Sequence, residues 1–204
     1  MKFLLPIALA AASIASLHAG SAEHPGSVPI LLGRDAVRKE LDLTKKQSAQ
    51  LDRIRSAFKA DARLLTTRPP ANAVEKQAAN TSVAVLLAKY NAEADAVLTT
   101  PQQERLLQIE RQTLGGIMLF LPSEQKRLGL EASQVAALAK LDEAGKAFAS
   151  RITASYERGD ISLAERLDTL RKYRIKESKK CLRVLTPKQG KMFQSLQGKK
   201  FVPA

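Results

Sequence analysis

The fold is indicated by a five-residue pattern that occurs four times, with leucine at its first position and glutamine at its fifth. The four copies are Leu43-Thr44-Lys45-Lys46-Gln47, Leu98-Thr99-Thr100-Pro101-Gln102, Leu130-Glu131-Ala132-Ser133-Gln134 and Leu185-Thr186-Pro187-Lys188-Gln189. The first two copies begin 55 positions apart, and so do the last two. One shift of 87 residues, without a gap, therefore aligns the first pair with the second. The sequence predicts a tandem duplication of one unit.

Each copy also predicts the start of a helix. A threonine followed three positions later by glutamine forms a capping box, in which each residue satisfies a backbone amide of the other. Thr44 with Gln47 and Thr186 with Gln189 have this spacing. Pro187 then occupies the first helical position, where its missing N–H group is not needed.

The other two copies differ in their caps. Thr99 and Thr100 each precede a glutamine by three positions. We place the cap at Thr100, because Pro101 then falls at the first helical position. Glu131 replaces threonine in the third copy and predicts a weaker cap, although a carboxylate still favours a helix N-terminus.

Apolar residues recur at steps of three and four after the motifs, and no stretch alternates with period two. The prolines in 66–70, the pair Gly115-Gly116 and Gly159 interrupt this pattern and predict helix ends. Aromatic residues make up only 4% of the chain and tryptophan is absent, so we expect narrow apolar seams rather than a thick core. The prediction is an all-α protein, two helical repeats in an extended, curved assembly, with dimerisation as a further expectation.

The LTxxQ motif in a small, exported, all-helical chain resembles the Spy/CpxP family of periplasmic proteins. The resemblance covers roughly residues 35–198, as two copies of the family's unit. It implies a curved helical cradle with a basic, partly apolar concave surface. Glu131 and the duplication depart from the family's pattern.

Residues 1–22 are predicted to be a secretory signal peptide, with Lys2 followed by an apolar stretch too short to span a bilayer. Gly20-Ser21-Ala22 offers a cleavage site, and Leu17-His18-Ala19 a poorer one. A linker (23–33), a first repeat (34–116) and a second repeat (117–204) follow. No later stretch is long and apolar enough to span a membrane, so we expect a soluble periplasmic protein.

Residues for catalysis or metal binding are scarce. After the predicted cleavage His24 is the only histidine, and Cys181 is the only cysteine in the chain. A histidine-based triad, a histidine-rich metal site and an internal disulfide are therefore excluded. We expect no enzymatic activity, no metal and no cofactor, and we expect Cys181 to be buried.

Positive charge is concentrated near the C-terminus. The chain has 33 Lys and Arg against 20 Asp and Glu, and residues 171–200 hold eleven bases against the single acid Glu177. Such a field attracts nucleic acid, anionic polymers or acidic proteins, and export argues against nucleic acid. The predicted binding residues are Arg171, Lys172, Arg174, Lys176, Lys179, Lys180 and Arg183.

Two functions are consistent with this surface. The first is an exported, ATP-independent chaperone or envelope-stress protein that binds unfolded or acidic clients. The alternative is a periplasmic regulator or adaptor that binds one envelope partner, such as a sensor domain. A passive envelope-binding structural protein is a third reading. The four motifs are predicted to be structural in each case.

Overall fold

The computed structural model describes residues 28–65 and 72–202. The predicted signal peptide, the linker residues 23–27 and the proline-rich stretch 66–70 lie outside the described residues. Within them every regular element is a helix and no strand occurs, which confirms the all-α prediction. No helix in these ranges is both long enough and apolar enough to cross a membrane.

The chain divides into two compact units. The first unit comprises 28–112 together with 197–202, and the second comprises 113–196. The predicted boundary at 116/117 thus falls four residues after the observed division. The last described residues, predicted as part of the second repeat, belong to the first unit.

The helices that begin in the first unit are α1 (Val28–Leu31), α2 (Asp35–Glu40), α3 (Lys45–Leu65), α4 (Ala73–Asp95) and α5 (Thr100–Leu114). The second unit has a 3-10 helix (Gly115–Phe120), then α6 (Pro122–Arg127), α7 (Ala132–Glu157), α8 (Leu163–Leu182) and α9 (Pro187–Leu196). Gly159, just after α7, has a φ of 81°, which a residue with a side chain rarely adopts.

The core of the first unit includes a segment that the sequence analysis placed in the linker. Val28 and Leu32 are almost wholly buried, and they pack with Leu51, Leu106 and Ile109. The Val28 amide donates to the buried Asn91 side chain at 3.0 Å. Two apolar residues four positions apart share a helix face, so this short stretch joins the core rather than linking to it.

The core of the second unit is centred on the 3-10 helix, whose residues from Gly116 to Phe120 are all buried. This helix packs against α8. A Cβ at Gly116 would collide with the Ser178 carbonyl oxygen, and the Gly116 amide donates to Ser178 Oγ at 2.8 Å. The close approach of the two backbones requires glycine here.

Helix boundaries recur at a spacing of 87 residues. When 87 is added to the residue numbers of the earlier helix, α2 and α6 have the same first and last residues. On the same basis α3 and α7 have the same first residue, as do α5 and α9, and α4 and α8 have the same last residue. The left-handed residue before each first motif also recurs, as Asp42 (φ 48°) and Gly129 (φ 59°). The duplication and the extended, curved assembly stay predictions.

Candidate functional site: the paired glutamines and the basic face of α8

The first two motifs meet through their glutamines. Gln47 Nε2 donates to Gln102 Oε1 at 2.7 Å, and Gln102 Nε2 donates back to Gln47 Oε1 at 3.3 Å. The second hydrogen of each amide reaches a backbone carbonyl, that of Val97 from Gln47 and that of Leu41 from Gln102. The spacing of 55 residues therefore corresponds to a direct side-chain contact.

The second unit contains the equivalent pair. Gln134 Nε2 donates to Gln189 Oε1 at 2.8 Å, and Gln189 Nε2 donates to Gln134 Oε1 at 3.1 Å. Gln134 also donates to the Val184 carbonyl, which lies 87 positions after Val97. Gln189 donates to the Gly129 carbonyl.

Each glutamine also caps its own helix. Gln47 Oε1 accepts from the Thr44 amide at 3.0 Å, and Gln189 Oε1 accepts from the Thr186 amide at 2.9 Å. The hydroxyls of Thr44 and Thr186 accept the reciprocal bonds from the backbone N–H groups of Gln47 and Gln189. A glutamate could cap but could not donate to the second motif. The need for both functions explains glutamine at the fifth position.

The cap of the second motif differs from the sequence prediction. Thr99, not Thr100, caps α5, because the Thr99 amide donates to Gln102 Oε1 at 2.9 Å. The helix begins at Thr100 as predicted, but the cap is one residue earlier, and the Gln103 side chain donates to the Asp95 carbonyl at 2.8 Å instead of forming a box with Thr100. In the third motif the Glu131 amide donates to Gln134 Oε1 at 3.0 Å, so this half of the box forms without threonine.

The motif leucines pack inward. Leu98 is buried in the core of the first unit and Leu43 packs against that core. Leu130 and Leu185 are half-buried in the second unit. The leucines and glutamines of the four motifs thus have positions suited to holding the helix starts together.

The predicted binding residues lie on α8 and in the turn after it. Six are exposed: Arg171, Lys172, Lys176, Lys179, Lys180 and Arg183. Two of these six are partly neutralised, because Asp168 accepts from Arg171 and Lys172 at 2.7 Å each. These contacts hold the pKa of the Asp168 carboxyl below its usual value, the Lys172 hydrogen bond being the larger cause. The part of the surface that lies farthest from Asp168 along the chain consists of Lys176, Lys179, Lys180 and Arg183.

Arg174, the seventh predicted residue, does not belong to this surface. It is half-buried, and burial lowers the pKa of its guanidinium. It lies on the same side of α8 as Glu177, which is only 8% exposed. Residues 174, 177 and 181 are separated by three and four positions, which places them on one helix face, turned towards the interior.

Glu177 is an acid inside the interface between α7 and α8. A Cβ at Gly145 of α7 would collide with Glu177 Oε1, and that oxygen has no hydrogen-bond partner in the structure. Burial raises the pKa of the Glu177 carboxyl to about 7, against the opposing effect of Arg174. The single acid in the basic run is thus buried and is not part of the exposed surface.

Exposed apolar side chains lie among the bases. Ile175 and Leu182 are 49% and 37% exposed, and Lys179 lies between them on the same face of α8. Met192 of α9 is 42% exposed. The resemblance implied a partly apolar surface but did not identify its residues, because helical periodicity alone does not show which apolar residues remain uncovered.

Cys181 is fully buried, and burial raises the pKa of its thiol to about 12. Among the described residues no group of three or more histidine, cysteine or acidic side chains could hold a metal ion. His24 lies outside the described ranges. Comparison of the chain with family models, with curated proteins and with solved structures finds no match in any of the three.

Proposed function

We propose that this protein is an exported, ATP-independent chaperone or envelope-stress protein that binds unfolded or acidic clients on the basic face of α8. The observation that carries the proposal is the mixture on that face: exposed lysines and arginines surround exposed Ile175 and Leu182. Charge attracts a client from a distance, and shallow apolar contacts bind many sequences without one fixed shape.

The proposal also includes export to the periplasm and a tandem duplication. The predicted signal peptide supports export. The recurrence of helix ends and of the glutamine pairs at a spacing of 87 residues supports the duplication and the resemblance to the Spy/CpxP family. The paired glutamines are then the structural device of each repeat, and the α8 face is the functional surface.

The alternative is a periplasmic regulator or adaptor with one envelope partner. The same surface suits that function, and breadth of binding separates the two. A chaperone suppresses the aggregation of unrelated clients, whereas an adaptor binds one protein.

The test is an aggregation-suppression assay with two unrelated clients. The variant reverses Lys176, Lys179, Lys180 and Arg183 to Glu, since these bases are exposed and Arg174 is not. The matched control reverses four exposed bases of the first repeat, Lys45, Lys46, Arg53 and Lys59. Both variants change the net charge by the same amount.

We expect the α8 variant to lose most protection of both clients and the control to retain it. Wild-type protection should weaken as salt rises, since the Debye length shrinks from about 10 Å at 0.1 M to about 3 Å at 1 M. Equal loss in both variants would show that only net charge matters. Full protection by the α8 variant would refute the surface assignment, and protection of neither client by wild type would favour the adaptor.

A further inference from the structure

The last described residues of the chain, 197–202, belong to the first unit and pack within it. They contact α5 through backbone groups, and the Phe201 side chain packs against the core. We call this stretch the C-terminal segment.

Gln112 of α5 binds the backbone of the C-terminal segment with its whole amide group. Its Nε2 donates to the carbonyls of Gln197 at 2.6 Å and Lys199 at 2.8 Å. Its Oε1 accepts from the Phe201 amide at 2.6 Å. Because these partners are backbone groups, the contact does not depend on the side chains of the bound segment.

Arg105, two turns earlier on α5, adds a fourth contact. Its Nη1 donates to the Lys199 carbonyl at 2.8 Å. Its Nε and Nη2 both donate to Glu40 Oε1, at 2.9 and 2.6 Å. The guanidinium is held in place by α2 of the same unit, so the site is built from groups that the segment itself does not supply.

Two side-chain positions of the segment are restricted by their surroundings. Gly198 has a φ of 59°, and a Cβ there would collide with the Gln108 side chain. Phe201 is the apolar anchor. Lys199, Lys200 and Val202 are exposed. The features of the segment that its surroundings restrict are therefore a glycine, an aromatic residue three positions later, and the backbone between them.

The side chains that contact the C-terminal segment have no counterparts in the second repeat. The positions 87 residues after Arg105, Gln108 and Gln112 are Met192, Ser195 and Lys199. Helix α5 continues to Leu114, whereas α9 ends at Leu196, so it is the extra length of α5 that carries Gln112. The helix starts recur between the repeats, and this set of side chains does not.

We propose that Arg105, Gln108 and Gln112 form a peptide-binding site, which the C-terminal segment occupies as an intramolecular ligand. A separate polypeptide segment with glycine followed three positions later by an aromatic residue binds the same site when the C-terminal segment leaves it. The tethered segment competes at an effective concentration in the millimolar range, so it keeps the site closed to weak ligands. This proposal does not depend on the α8 surface or on chaperone activity.

The test is binding of a fluorescent peptide with the sequence of residues 195–202, blocked at both ends, to the full chain. Gly198→Ala in the protein should displace the tethered segment and leave the site intact. The matched control is Gly190→Ala, because Gly190 lies in α9 with open space around it and no positive φ. We expect Gly198→Ala to bind the peptide at least ten-fold more tightly than wild type, since apparent affinity scales with the fraction of open sites. The control should bind as wild type does.

Two further variants keep the test decisive. Phe201→Ala in the protein releases the segment without a change of backbone conformation, so it should reproduce the gain if Gly198→Ala misfolds. Adding Gln112→Ala should abolish the gain. A peptide carrying Phe201→Ala should fail to bind, whereas one carrying Lys200→Ala should bind. No gain in either releasing variant, or a gain that survives loss of Gln112, would overturn the proposal.

Discussion

Gln47→Glu separates the two tasks of the motif glutamine. The change preserves an acceptor for the Thr44 amide, but it removes the donor that reaches Gln102 and the Val97 carbonyl. Two partly buried hydrogen bonds are lost, each contributing about 0.5–1.5 kcal/mol. The new carboxylate also faces two acceptors. We expect the free energy of unfolding of the first unit to fall by about 2–3 kcal/mol at pH 7.

The assay is urea unfolding followed by circular dichroism at neutral pH. The matched control is Gln50→Glu, the same chemical change at an exposed position one turn further along α3, which should change stability by less than about 0.5 kcal/mol. If Gln47→Glu proves as mild as Gln50→Glu, capping alone explains the motif, and the pairing of Gln47 with Gln102 contributes nothing.

Three further predictions follow from the second unit. Glu177→Gln should raise the free energy of unfolding at pH 8 by about 1–3 kcal/mol and change it little at pH 5. The folded-state pKa of Glu177 is raised to about 7, so its carboxyl destabilises the fold as pH rises above the pKa of the unfolded state. Equal effects at both pH values would contradict this. Thr186→Ala should cost about 1 kcal/mol in urea unfolding through loss of the hydroxyl that accepts from the Gln189 amide, without loss of binding activity. Cys181 should resist a thiol reagent in the native protein and react after unfolding, and rapid native labelling would show that α8 opens.

Helix starts were predictable from the sequence because their determinants are local. A capping box needs residues only three positions apart, so Thr44 and Thr186 could be assigned without tertiary information. The all-α class followed from periodicity for the same reason. The choice between Thr99 and Thr100 could not be made locally, since both precede a glutamine. Contact with Gln47, 55 residues away, selects Gln102 and hence Thr99.

The features that the sequence did not predict all depend on distant contacts. Val28 and Leu32 lie in the core because α4 supplies Asn91 and neighbouring apolar residues. Arg174 carries a charge, which is typical of a protein surface, but its side chain is half-buried. The binding of the C-terminal segment by Gln112 joins residues about 85 positions apart, and neither partner has a distinctive local pattern.

The paired glutamines have a consequence for the order of folding. Each capping box closes a loop of three residues, whereas each glutamine pair joins positions 55 apart. Short loops close in nanoseconds, and distant contacts form later because they must first overcome the entropy of a long loop. When the two motifs of a repeat meet, the capping bond already holds the Oε1 atom of each glutamine side chain. The Nε2 atom of that side chain then points away from its own helix start, towards the other motif. We therefore expect most of the ordering of these side chains to precede their contact, which would make docking of the two helix starts faster than the loop length alone implies.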